Sequence, residues 1–275
     1  MSEPPPVRRP VPPPVRRPGA ALRLVASLEG PVGAPVLVLG NSIGTTRAVW
    51  DRQAAALREH FRLLRFEYPG HDGSAAPPGP YSIGDLAGGV LAQLDAHEIG
   101  RALYCGISLG GMVGMWLAAH APDRITALGL CCTSAHLRPA SMWAERAALV
   151  RSAGMGPAAD QAAGRWFTPA FQRRDPSAVA AVVAAMRRVD PEGYAGCCEA
   201  IGGMDQRPSL GSITAPALVI AGAEDPATPP WHGAVIAAGI SGSRLRVIGG
   251  ASHLANVSAP GEVTAALLGH LLAVR

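Results

Sequence analysis

The sequence predicts an α/β fold: a mostly parallel central sheet with helices on both faces and a helical lid inserted after the sixth strand. Three observations carry this. Short apolar runs rich in Val, Ile and Leu alternate with longer segments of helical spacing, the pattern of a sheet buried on both faces. One stretch, 135 to about 208, breaks that alternation and holds no convincing strand. The 275 residues, 48% hydrophobic and 16% charged, suffice for one large core carrying an insertion.

Residues 1–20 form a Pro/Arg-rich tail in which PPPVRRP occurs twice. Such a tract favours extended polyproline backbone and builds no core, so it is expected to be disordered. Its Arg8, Arg9, Arg16 and Arg17 against Glu3 supply +3 of the net +4, which leaves about +1 on the rest. No basic stripe for nucleic acid is indicated there. No apolar run reaches the roughly 18 residues of a membrane span, and the N-terminus lacks a secretory apolar stretch, so a cytoplasmic protein without a membrane partner is expected. Cys105, Cys131, Cys132, Cys197 and Cys198 have neither zinc-site nor CxxC spacing. They read as buried thiols of a reducing compartment.

After the tail, 22–29 and 35–40 read as strands, 45–59 as a helix and 61–68 as a strand. A helix over 81–99, a strand over 101–108, a helix over 110–121 and a strand over 125–134 follow. Beyond the insertion, 216–222 and 243–250 are strands and 257–273 is a closing helix. The core is thus 21–134 with 209–275, and the cap is 135–208. Within the cap, helices are expected at 141–154, 157–166, 176–189 and 191–202. Asp175-Pro176 and Asp190-Pro191 are helix starts with proline at the first helical position. Five of the 13 aromatics lie here: Trp143, Trp166, Phe167, Phe171 and Tyr194. They serve first as the lid's own core and only secondarily as pocket lining.

Chemistry enters at Gly106-Ile107-Ser108-Leu109-Gly110, a G-x-S-x-G sequence with a strand before it and a helix after it. A turn this sharp strains the serine backbone, and side chains at the glycine positions would collide. It lifts the Ser108 hydroxyl above the sheet edge and aims the Leu109 amide into the same space, at a helix N-terminus that favours negative charge. A serine hydroxyl needs a base. Of eight histidines, His253 follows the last strand and so faces the same crevice. His60, His97, His120 and His270 lie on or beside helices, where a solvated surface histidine is the default. His71, in the loop after strand 61–68, is able to line the crevice but lacks a base's position. His136 and His232 are loop or lid candidates. The base needs an acid to fix its tautomer. Asp225, after strand 216–222, is well placed; Glu224 points elsewhere, and Asp205 is a weaker alternative. The order Ser108, Asp225, His253 is that of an α/β-hydrolase. The second amide for an oxyanion comes from the loop Asn41–Thr45, through Ile43, although Asn41 and Ser42 also suit capping of the next helix.

Taken together, NSIGTTRAVWDRQ, YPGHDGS, GPYSIGDLAGGVLAQLDAH, CGISLGGMVGMWLAAHAPDRI, CTSAHLRPASMWAERA, RWFTPAF, DPEGYAGCCEAI, ITAPALVIAGAEDPATPP and GASHLANV resemble the 3-oxoadipate enol-lactonases, α/β-hydrolases of bacterial aromatic catabolism. The resemblance spans about 22–273, lid included. It implies the triad Ser108, Asp225 and His253, an oxyanion hole from the Ile43 and Leu109 amides, and no metal or cofactor. The substrate it implies is a small anionic lactone. Arg is suited to bidentate pairing with a carboxylate, so Arg138, Arg146 and Arg165 in the lid are candidates to hold it, with Trp143 shaping the pocket. One departure stands out: Asp72 occupies a position where the family often has glycine. Other readings remain: a broad carboxylesterase or cofactor-free perhydrolase of the same fold, or a slow sensing or scaffold protein that recruits a partner through its tail. Oligomeric state is not legible.

Overall fold

The computed structural model describes residues 22–137 and 139–274. The Pro/Arg tail and Arg138 lie outside the described residues. Seven strands form one sheet: β1 Ala26–Glu29, β2 Val36–Gly40, β3 Arg62–Phe66, β4 Ala102–Ile107, β5 Ile125–Cys131, β6 Ala217–Gly222 and β7 Arg244–Ile248. Their order is β1-β3-β2-β4-β5-β6-β7, and only β1 runs antiparallel to its neighbour. Every residue of β4 and of β6 is buried. That is why these strands read as unbroken apolar runs rather than as alternation.

The helices are α1 Asp51–Arg58, α2 Ile83–Ala96, α3 Leu109–His120, α4 Ala140–Ala153, α5 Gly156–Asp160, α6 Ala162–Trp166, α7 Pro169–Arg174, α8 Pro176–Arg187, α9 Pro191–Gly202, α10 Pro230–Gly239, α11 Ala255–Ser258 and α12 Pro260–Leu271. Local chemistry explains several starts. Ser82 and Asp85 form a reciprocal capping box at α2. Asp175 and Asp190 each accept an amide hydrogen bond at the start of α8 and α9, with proline at the first position, as expected.

Several boundaries differ from expectation. Six helices, α4–α9, fill the insertion, which follows the fifth described strand and not the sixth, because only five apolar runs pair as strands ahead of it. The segment 157–166 is two short helices that meet at Gln161. The closing helix breaks at Pro260, which cannot continue α11. Residues 47–50 are 3₁₀, and only 26–29 of the first apolar run pairs. Helices α7 and α10 were not expected. The apolar residues of α10 lie all round it, and it opens on Pro229-Pro230 with an internal Gly233, so no one-sided stripe marks it. Among the described residues no helix is long and apolar enough to cross a membrane.

Strand order positions the site. β2 lies beside β4, and β6 beside β7. The loops leaving the carboxyl ends of these strands therefore meet in pairs on one rim, where crevices of open α/β sheets form.

Candidate active site

The turn after β4 has the strain that its sequence predicts. Ser108 sits at φ 56°, ψ −115°, a conformation costing a non-glycine residue about 1–3 kcal/mol. Three hydrogen bonds hold it there. Its N–H donates to Cys131 O at 2.9 Å, and its carbonyl accepts from Thr133 Oγ1 at 2.7 Å and from Met112 N–H at 3.1 Å. Next to it, Gly110 N–H donates to Asn41 O at 2.9 Å. A methyl group on Gly106 would overlap the Gly110 backbone, and one on Gly110 would overlap Gly40 O. The two glycines are thus demanded by close approach. Leu109 opens α3, so its amide has no intrahelical acceptor.

His253 and Asp225 form a buried pair, Nδ1 to Oδ2 at 2.8 Å. The carboxylate only accepts, so Nδ1 carries the proton and Nε2 is left bare. Asp225 is fixed by three further donors: Ala227 N–H at 2.8 Å and Thr228 N–H at 3.0 Å on Oδ1, and Thr228 Oγ1 at 2.7 Å on Oδ2. Burial pushes its carboxyl up, but His253 and the Thr228 donors outweigh that and hold it below the ordinary carboxylate range. Glu224 is exposed, and Asp205 is taken up by Arg207 at 2.6 Å. Ser108 and His253 line one cavity of about 600 Å³.

The other histidines separate clearly. His97 and His120 are exposed, as expected. His270 is buried, with Nε2 at 3.3 Å from Pro216 O; α12 turns that face inward against the sheet, which corrects the surface reading. His71 is fully buried and bonds the loop between β2 and α1. In that loop Thr45 N–H and Oγ1 both donate to Ser42 O, at 3.1 and 2.9 Å, and Gly44 N–H donates to His71 Nε2 at 3.0 Å. Ile43 faces the cavity. Asn41 is a brace rather than a helix cap: its Nδ2 donates to Phe66 O at 2.8 Å and to Glu67 Oε2 at 3.3 Å. Glu67, which the sequence reading passed over, also accepts Arg47 N–H at 2.8 Å, and burial pushes its carboxyl up to about 7. Asp72 adopts φ 32°, a left-handed conformation that favours glycine, and lies 3.8 Å from Arg47.

The insertion roofs the cavity. Trp143, Trp166 and Tyr194 line it, whereas Phe167 and Phe171 stack at 5.1 Å inside the lid's own core. Arg146 and Arg165 both reach the cavity from different helices. Arg146 lies 4.9 Å from the Trp143 ring centroid, a cation–π distance. Burial first, then the charge of Arg146, push the Arg165 guanidinium down from its ordinary value. Arg165 donates to Gln161 Oε1. Among the described residues neither arginine makes a salt bridge with a carboxylate. On the opposite wall, His232 Nδ1 meets Ser134 Oγ at 2.7 Å, and Trp231, 59% exposed, stacks on His232 with centroids 3.5 Å apart. Tyr194 takes the pocket-lining role that is secondary for the lid aromatics, whereas Ser134 has no sequence signal as a site residue because it reaches the cavity only through tertiary packing. Among the described residues no three His, Cys, Asp or Glu side chains are placed to hold a metal ion.

Comparison with known proteins agrees with this architecture. Residues 35–153 match the family model described as alpha/beta hydrolase fold. The chain is 41% identical over 231 residues to 3-oxoadipate enol-lactonase 2 of Acinetobacter baylyi, covering 84% of this chain and 86% of that one. The crystal structure of the enol-lactonase from Burkholderia xenovorans LB400 superposes with a TM-score of 0.89 at 40% identity, over 92% of this chain and 99% of that one. A hydrolase from Pseudomonas aeruginosa PA01 superposes with a TM-score of 0.87 at 45% identity, over 90% and 94%. With its seven-stranded sheet, strained serine turn and Asp–His pair, the chain belongs to the 3-oxoadipate enol-lactonase family of α/β hydrolases.

Proposed function

We propose that the protein hydrolyses 3-oxoadipate enol-lactone to 3-oxoadipate in aromatic-compound catabolism, with Ser108, His253 and Asp225 as its triad. The observation that carries this reading is one cavity holding a strained serine, a carboxylate-oriented imidazole and two lid arginines without carboxylate partners. Ser108 Oγ attacks the lactone carbonyl as its proton passes to His253 Nε2, and Asp225 stabilises the imidazolium. The Ile43 and Leu109 amides receive the oxyanion. Collapse breaks the ring C–O bond. The ring oxygen leaves as an enolate, which takes the proton from His253 Nε2 on its way to the ketone and leaves the imidazole neutral. Water, deprotonated by His253, then releases the acid from Ser108.

Arg146 and Arg165 would pair with the carboxylate of the acetate arm, while Trp143 walls the ring. Two like charges held close in a partly desolvated pocket gain most from an anionic ligand. The cap, 135–208, supplies recognition, and the core, 21–134 with 209–275, supplies chemistry. A cytoplasmic location fits five cysteines that are all free and buried. The test is direct. Purified protein is given the enol lactone, with loss of ring absorbance followed and the keto acid identified, alongside Ser108→Ala and a neutral aryl ester. Turnover of the lactone that disappears in Ser108→Ala supports the reading. Undiminished turnover in that variant, or a strong preference for the neutral ester, sinks it.

A further inference from the structure

His71 takes no part in the chemistry above, yet it is fully buried and uses both ring nitrogens. Nδ1 donates to Pro69 O at 2.9 Å, and Nε2 accepts Gly44 N–H at 3.0 Å. Only the neutral ring protonated on Nδ1 satisfies both bonds. Their effect follows from peptide geometry. In a trans peptide the C=O and N–H point in opposite directions. Thr45 holds the Ser42 carbonyl with two donors, which fixes the plane of the Ser42–Ile43 peptide and hence the direction of the Ile43 N–H. His71 fixes the next plane, Ile43–Gly44, by holding the Gly44 amide. Gly44 has φ +77°, so without that bond the turn has a wide conformational range open to it.

The segment carrying His71 is itself held by the lid. Gly70 O accepts Asp190 N–H at 2.8 Å, immediately ahead of α9. Gly193 in α9 lies so close that a methyl group there would overlap Pro69 O and stand 2.6 Å from Gly70 Cα. Gly44 also faces the Met186 and Tyr194 side chains of the lid, both 3.2 Å from where its own Cβ would be. A continuous set of contacts thus runs from α9 through Pro69-Gly70-His71 to Gly44 and Ile43.

We propose that His71 is a positioning residue: it is the strut through which the seat of lid helix α9 sets the direction of the Ile43 amide. The proposal rests on the reading of that amide as an oxyanion donor. It implies that lid seating and transition-state stabilisation are linked. It also assigns a use to the close approach of α9, where only glycine fits at 193.

The test compares His71→Phe, which removes the acceptor, with His71→Gln, whose amide oxygen replaces it, and with Gly193→Ala, which pushes the strut from the lid side. Each is assayed for kcat and KM on the enol lactone and on 4-nitrophenyl acetate, for the rate of Ser108 modification by a small alkyl phosphonate, and for thermal midpoint. Loss of one oxyanion donor costs about 10²–10³-fold in kcat; a misaimed donor is expected to cost roughly 10–100-fold. His71→Phe should therefore lose about that much in kcat and in phosphonylation rate, with KM within about threefold, on both substrates. His71→Gln should recover most of it, and Gly193→Ala should fall between them. The proposal is overturned if folded His71→Phe keeps kcat within about twofold of the parent, or if His71→Gln loses as much as His71→Phe. It is overturned as well if Gly193→Ala, folded, leaves kcat unchanged; that variant decides the matter should His71→Phe fail to fold. Failure of the lactone reading looks different: the parent would turn over only the aryl ester, and the three variants would still be ranked on it.

Discussion

The strand-end rim and the helical lid meet in one cavity, but they are built on different terms. On the rim, each proposed catalytic group is held by backbone strain or by direct hydrogen bonds: a strained turn for Ser108, a carboxylate for His253, three donors around Asp225, and a loop pinned by Thr45 and His71 for Ile43. In the lid, the cavity-facing arginines are long side chains, Arg146 beside the Trp143 ring and Arg165 donating to the Gln161 side-chain oxygen. On the proposed assignment the rim sets what reaction is possible, because a nucleophile, base and acid tolerate little displacement. On the same proposal the lid selects the substrate, since a flexible cation reaches a carboxylate from several directions.

The largest test of that division is at the rim. Ser108→Ala should lower kcat by about 10⁴-fold or more on every substrate, as for other triad serines. Asp225→Asn should follow with about 10⁴-fold, through loss of the tautomer that leaves Nε2 bare. Steady-state rates on both the lactone and a neutral ester check each. If the Ser108→Ala loss appears with one substrate only, rim and lid are not separable.

Lid changes should be smaller and selective. Arg146→Met or Arg165→Met removes a charged hydrogen-bond donor worth about 1.5–3 kcal/mol to a bound carboxylate. The expected loss is about 10–100-fold in kcat/KM for the anionic lactone and less than about twofold for a neutral ester. Equal losses on both substrates would mean that the arginines support the lid and do not read charge. The double variant reports whether the pair acts as a unit.

The smallest effect concerns the seam between the two regions. Burial pushes His71 down to about 4 and Glu67 up to about 7. The unfolded chain therefore protonates His71 first, and stability is lost as pH falls from about 6.5 toward about 4. For Glu67, beside Asp72, Arg47 and Arg65, the folded state keeps its proton longer, and stability is lost as pH rises from about 4.5 to about 7. Between those limits the slopes oppose, each at most about 1.4 kcal/mol per pH unit. Relative to the parent, Glu67→Gln should lose stability on acidification from about pH 6.5 to about pH 4.5, and His71→Gln should gain it. Urea unfolding at the two pH values measures both, and parallel profiles for all three proteins would refute the opposition.

Sequence reading reached the rim almost completely. Strand ends announce themselves: an apolar run stops, and Gly, Ser, Asp or His follows where the chain must turn. The cap was legible as helices because Asp175-Pro176 and Asp190-Pro191 punctuate it. Its contacts were not. Tyr194 and Ser134 enter the cavity through packing that no local spacing encodes, and His232 became a wall residue only because α10, itself unmarked by a one-sided stripe, folds back to the mouth. Glu67 has no sequence signal, and His71 reads only as a crevice-lining loop histidine, for a related reason. Buried polar side chains that brace a neighbouring loop look, in sequence, like ordinary loop residues.

Three of the five tryptophans, Trp143, Trp166 and Trp231, border the same cavity, and Trp231 stands at its opening against His232. The molecule therefore carries its own optical gauge. Indole emission should respond to an occupant without any attached dye, and the proportion of that response lost in Trp231→Phe would separate arrival at the threshold from settlement inside.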